Sequence, residues 1–158
     1  MATMVYFDIP ADREILAALG EVTLRHEHLN HILRMTVKTL ARLSVDEALD
    51  ATARDGSAYL RDRIRKFGRK RLGEGEPLLR LQALIERCGR AADRRNELVH
   101  SVWAKELDGE TVCRNSAQGW QAVPTVEELR NLAAEIASLT AELNKARLEG
   151  FLHEALSG

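Results

Sequence analysis

Arg95 interrupts an otherwise apolar seam. In the stretch Asp93-Arg94-Arg95-Asn96-Glu97-Leu98-Val99-His100 the arginine falls between Ala92 and Val99. At about 100° per residue that places it near the centre of a helix's apolar arc, with Arg87, Arg90 and Arg94 at or beyond the margins. A guanidinium directed inward without partners costs several kcal/mol, so the fold must supply a carboxylate, an aromatic face, a wet cleft or a ligand. Glu27 and Asp93 are carboxylates available for a buried salt bridge. Asn96 and His100 stand one helical turn apart and share a face, and a histidine exchanges protons near neutral pH. Arg95 and His100 are about 140° apart on an ideal helix, so a second helix or a second chain is needed to close one groove around both.

A second concentration of chemistry lies upstream, in Arg61-Asp62-Arg63-Ile64-Arg65-Lys66-Phe67-Gly68-Arg69-Lys70-Arg71, with seven cations and one anion. The chain of 158 residues carries a formal net charge of −1, but the charge is divided. Residues 54–100 hold 13 Lys and Arg against 7 Asp and Glu, whereas residues 1–53 hold 5 against 8 and residues 101–158 hold 5 against 9. A basic middle between acidic flanks fits either a solvated helix face or an electrostatic footprint for a phosphate backbone, with Arg61, Arg65, Lys66, Arg69 and Lys70 as candidate contacts.

The elements that must position these residues follow from periodicity. Ile15, Leu19, Val22, His26, Leu29, Leu33, Thr36 and Leu40 make one long seam. Ser44-Val45-Asp46-Glu47 has the form of a capping box and opens a second helix, interrupted near Asp55-Gly56-Ser57 and resumed through Leu60, Ile64 and Phe67. Pro77 suits the first turn of a third helix with the seam Leu78, Leu81, Ile85, Cys88, Ala92, Arg95, Val99 and Val102. Asp108-Gly109 between short β-compatible runs is a hairpin signal. Thr125-Val126-Glu127-Glu128 caps a last helix through Leu129, Leu132, Ile136, Leu139, Leu143 and Ala146. The expected architecture is all-α: a single domain over residues 1–158, an up-and-down four-helix bundle with a short β-hairpin inserted between the third and fourth helices. Seams this long and regular predict a homodimer.

The run Arg95-Asn96-Glu97-Leu98-Val99-His100 resembles the signature of HEPN domains, an arginine, four to six residues and a histidine, often with a polar residue after the arginine. The helical layout, the motif near the end of the third helix and the expected dimer agree with that family over most of the chain. The same signature, with five intervening residues instead of four, also occurs from Arg25 to His31, Arg94 to His100 and Arg147 to His153. Only Arg95 combines the polar follower, the inward direction and a histidine at a helix end.

The resemblance implies a metal-independent endoribonuclease with no cofactor, of a kind that includes toxins and defence effectors. The 2′-hydroxyl of RNA attacks the adjacent phosphate, His100 moves protons, and Arg95 holds phosphate oxygens through its planar fork. Asn96 orients the ribose or the histidine, and two such sets meet in a dimer cleft. A nucleotidyltransferase-like antitoxin is the partner the family implies. The alternative is a non-catalytic helical module that binds RNA or a partner protein, with Arg95 serving structure.

Other chemistry is poorly supplied. His26-Glu27-His28-Leu29-Asn30 begins like a zinc-protease pattern, but the next histidine is His31, off the shared face that metal binding needs. His26 itself reads as a core or interface histidine and His153 as a surface one. No glycine cluster has the phosphate-loop form. Trp103 and Trp120 flank the hairpin as anchors, or stack on a base. Two cysteines, Cys88 and Cys113, make no disulfide framework, and with no apolar run near the ~20 residues of a membrane span the expected setting is a reducing cytoplasm.

Overall fold

The structure is a computed structural model describing residues 4–115 and 119–158. The first long helix, α1 (Arg13–Ala41), begins where Asp12 accepts the backbone N–H of Glu14 at 2.8 Å and ends at Arg42, which turns left-handed at φ 57°. α2 (Val45–Ala51) starts on the Ser44/Glu47 capping box, with both reciprocal hydrogen bonds formed. After the break at Gly56 the chain resumes as α3 (Ser57–Leu72), and α4 (Glu76–His100) carries Pro77 in its first turn. α5 (Val126–Leu148) begins on the Thr125/Glu128 capping box and is followed by the short α6 (Phe151–Ser157).

The four long helices close on one core. α1 lies most extensively against α5 and next against α3, while α4 packs between α3 and α5. The predicted seams supply the filling: Leu29, Leu33 and Leu40 of α1, Leu60 and Ile64 of α3, Ile85 and Cys88 of α4, and Ile136 and Leu143 of α5 are all fully buried. Each such aliphatic side chain contributes about 1.5–3 kcal/mol by leaving water, which is why the seam pattern governs the packing.

The all-α expectation needs correction. The hairpin is part of a four-stranded antiparallel sheet, ordered β1 (Val5–Phe7), β2 (Val102–Glu106), β3 (Thr111–Asn115) and β4 (Gly119–Ala122). A lone hairpin is marginal in water, and the extra strands on either edge supply ladder hydrogen bonds that stabilise it. β1 comes from the N-terminal segment and pairs with β2 from Val5 opposite Glu106 to Phe7 opposite Ala104. The strands contact one another far more than any helix. One tie to the helical body is the Trp103 indole N–H, which donates to the Leu98 carbonyl at 3.2 Å. Among the described residues, no helix is long and apolar enough to cross a membrane.

Candidate functional site

α4 positions Arg95 and Asn96 in its penultimate turns and ends on His100. Arg95 and Asn96 are half-buried, and the Arg95 guanidinium donates to Asn96 Oδ1 at 3.1 Å. His100 is exposed, and Ser101, which follows it, turns its hydroxyl back to the Glu97 carbonyl. No hydrogen bond joins Arg95 to His100 among the described residues. The two leave the helix in different directions, as the ~140° between them requires.

The salt bridge to Glu27 or Asp93 that the sequence offered as one alternative for Arg95 is not formed among the described residues. No carboxylate among the described residues lies within ion-pair distance of it, whereas Arg87, Arg90 and Arg94 each hold a glutamate at the surface. Glu27 instead accepts from the Asn30 side chain at 3.2 Å and lies 3.9 Å from His26 Nδ1. Asp93 is exposed.

What stands near Arg95 is His26. The imidazole is 3% exposed on α1, and Asn30, one turn on, is 7% exposed with its amide nitrogen 3.5 Å from His26 Nδ1. Burial pushes the His26 pKa below the ordinary imidazole value, the positive charges of Arg95 and Arg61 push it further, and Glu27 opposes them. His26 Nε2, Asn30 Oδ1 and Arg95 Nε are all buried without a hydrogen-bond partner among the described residues. Polar atoms left in this condition are costly and are rare in a settled core. The expectation of a core histidine is met in burial, but this histidine is not satisfied.

The basic run of α3 divides by helical face. Arg65, Lys66, Arg69 and Lys70 lie on the outer side, with Lys66, Arg69 and Lys70 exposed and Arg65 held by Asp62 at 2.9 Å. Arg63 is paired with Asp55 at 2.5 Å, and Arg71 donates to the Leu40 carbonyl at 3.4 Å, so both serve the fold. Arg61 departs from its group. It is half-buried, reaches the Ser57 hydroxyl and lies so close to Gly89 of α4 that a Cβ there would meet Arg61 Nε at 3.2 Å. The sequence signal is Gly89, a buried glycine beside Cys88 in α4 that leaves room for a neighbouring side chain, although nothing local pairs it with Arg61.

A groove of about 630 Å³ opens beside the end of α4, lined among others by Ile9, Pro10, Leu19, Gly20, Val99 and Trp103. Neither Arg95 nor His100 lines it, although Leu98, Val99 and Ser101 do. The cysteines offer no ready nucleophile: burial pushes the Cys88 thiol up to about 11 and also raises that of Cys113. No group of three or more His, Cys, Asp or Glu side chains able to hold a metal ion occurs among the described residues. In the zinc-protease-like run, His26 is buried while His28 and His31 are exposed. His153 is at the surface.

No protein-family model, no curated protein and no solved structure matches the chain.

Proposed function

We propose that the chain is a HEPN-type, metal-independent endoribonuclease that works as a homodimer, with Arg95, Asn96 and His100 as its catalytic residues. The observation that carries this reading is the unneutralised Arg95 guanidinium. Arg95 is half-buried, has no carboxylate within ion-pair distance among the described residues and donates to the neutral Asn96 oxygen, which leaves its full charge for an anion. The four long helices, read as an up-and-down bundle with three of the four strands inserted before α5, support the same reading, as does the exposed histidine at the end of α4.

In this mechanism a 2′-hydroxyl attacks the neighbouring phosphorus and the 5′-oxygen leaves. The products are a 2′,3′-cyclic phosphate and a 5′-hydroxyl. His100 takes or gives a proton, and Arg95 stabilises the charge that builds on the phosphate oxygens. DNA lacks the attacking hydroxyl and is at best bound. The outer cations Arg65, Lys66, Arg69 and Lys70 hold the strand electrostatically, and a nucleotidyltransferase-like antitoxin in the same cytoplasm restrains the enzyme.

One observation favours a second reading, a non-catalytic module that binds RNA or a partner protein. Arg95 Nε is buried without a hydrogen-bond partner among the described residues and the arginine's charge acts on the buried His26, whereas His100 leaves α4 on a different side. The deciding experiment incubates the purified chain with single-stranded and structured RNAs and assays 2′,3′-cyclic phosphate ends. The enzyme reading requires His100→Ala to lower cleavage by on the order of a hundredfold or more while the fold and RNA binding persist. If the unaltered chain cuts no RNA, or His100→Ala cuts equally well, the binding-module reading replaces it.

A further inference from the structure

We propose that Arg114 and Trp120, direct cross-strand neighbours on β3 and β4, form a platform for the bases of single-stranded RNA. The identity of the strand rests on the RNA-directed reading above; the platform itself rests on the sheet.

The register sets the geometry. Val102 of β2 is the direct partner of Arg114 of β3, and Arg114 is the direct partner of Trp120 of β4. Direct antiparallel partners stand on the same face, so the three side chains form one row across the sheet. With strands spaced ~4.8 Å apart, that row places Trp120 roughly 10 Å from the start of β2. It begins two residues after His100, at the end of the sheet that joins α4.

The chemistry of the row differs from that of its surroundings. The Arg114 guanidinium carbon lies 5.9 Å from the centroid of the Trp120 ring, and no carboxylate among the described residues pairs with it. Val102 is 45% exposed and Trp120 is 36% exposed, in a protein where Trp103 spends its indole N–H on the Leu98 carbonyl. The two tryptophans therefore divide two tasks, one fixing the sheet to α4 and the other presenting an aromatic surface with a cation beside it. Charge runs along the sheet in the same sense. Glu106, Asp108 and Glu110 crowd the far, hairpin end, where the nearby Lys105 falls on the opposite face by strand alternation, and the free cation of the row sits at the His100 end. A polyanion is directed away from the hairpin tip and toward α4.

An indole with an adjoining guanidinium suits an unpaired nucleobase, which stacks on the ring while its phosphate meets the cation. Bases within a duplex are already stacked on each other and do not reach such a surface. The platform accordingly selects single strands, and it does so without reading a particular base.

The test uses the full-length His100→Ala chain, a fluorescently labelled single-stranded oligoadenylate of about 12 nucleotides and a duplex RNA hairpin, with binding followed by anisotropy. Trp120→Ala in that background should weaken oligoadenylate binding about tenfold, and Trp120→Phe, which keeps a stacking ring, should retain most of the affinity. Duplex affinity should be unchanged by either. Circular dichroism of both variants guards against loss of the sheet, and the phenylalanine variant keeps the test valid if the alanine variant unfolds. The proposal is overturned if the chain fails to bind oligoadenylate, if Trp120→Ala binds it as well as before, or if single-stranded and duplex RNA lose affinity equally. Absence of cleavage with stacking intact would instead count against the ribonuclease reading alone.

Discussion

Arg95 of α4 and His26 of α1 share one buried polar environment: Arg95 Nε and His26 Nε2 both lack hydrogen-bond partners among the described residues, and the arginine's charge helps to lower the histidine's pKa. Neither residue is stabilised by the other. Burial and the nearby positive charge both favour the neutral imidazole, and a buried group perturbed in this way is a functional-site candidate.

Removing the charge of Arg95 should therefore be felt at His26. In Arg95→Gln the His26 pKa should rise toward its ordinary value, because one of the two cations acting on it is gone. The rise should be partial, since burial is the larger cause and persists. Titration of the imidazole ring protons by NMR measures it. An unmoved or lowered pKa contradicts the proximity of the two groups.

His26 also sets a pH dependence of stability. The imidazole has an ordinary pKa of 6.5 and a lowered one in the fold, so as pH falls below that value the unfolded chain takes up a proton that the folded chain resists. The stability linked to His26 is present in full above the unfolded value and is lost as pH falls through the folded one. Urea midpoints compared at about pH 7.5 and about pH 5.5 should drop, and His26→Gln should reduce that drop. Equal drops in both proteins would show that His26 is not the titrating group.

The outer face of α3 should bind phosphate without contributing to the fold. Replacing Arg65, Lys66, Arg69 and Lys70 by Ala should flatten the salt dependence of RNA affinity by roughly one unit of slope per lost contact, with little change in melting temperature. Arg61→Ala should do the reverse, since Arg61 packs on Gly89 and reaches Ser57. An unchanged salt slope in the fourfold variant would leave the segment as a solvated helix face.

Assembly of the proposed composite site requires two chains. Light scattering at micromolar concentration should return about twice the 17.7 kDa chain mass. A monomer that still cuts RNA would show that one chain suffices, and a monomer that does not would remove the dimer-cleft arrangement.

Local chemistry made much of the framework legible in the sequence. The seams from Ile15 to Leu40 and from Leu129 to Ala146 found their helices because burying one stripe of a helix demands a period near 3.6, and that demand is written into the residues themselves. The capping boxes at Ser44 and Thr125 were readable for the same reason, since a cap acts within four residues. The sheet was only half readable: Asp108-Gly109 marks a turn locally, but nothing in Val5-Tyr6-Phe7 reveals that it will pair with residues nearly a hundred positions away.

The sequence by itself determined that Arg95 would enter an apolar face and that His100 would stand at the end of the same helix, since both depend only on helical spacing. Tertiary structure decided who meets Arg95. Glu27 was available in composition, yet it accepts from Asn30, while the arginine's charge acts on the buried His26. It also set the half-buried Arg61 close to Gly89 of α4 and the Ser57 hydroxyl. The physical reason is that periodicity fixes the face on which a side chain leaves its own helix, whereas its partner depends on the rotation and axial offset of the neighbouring helix. Those are set by the packing of the whole core.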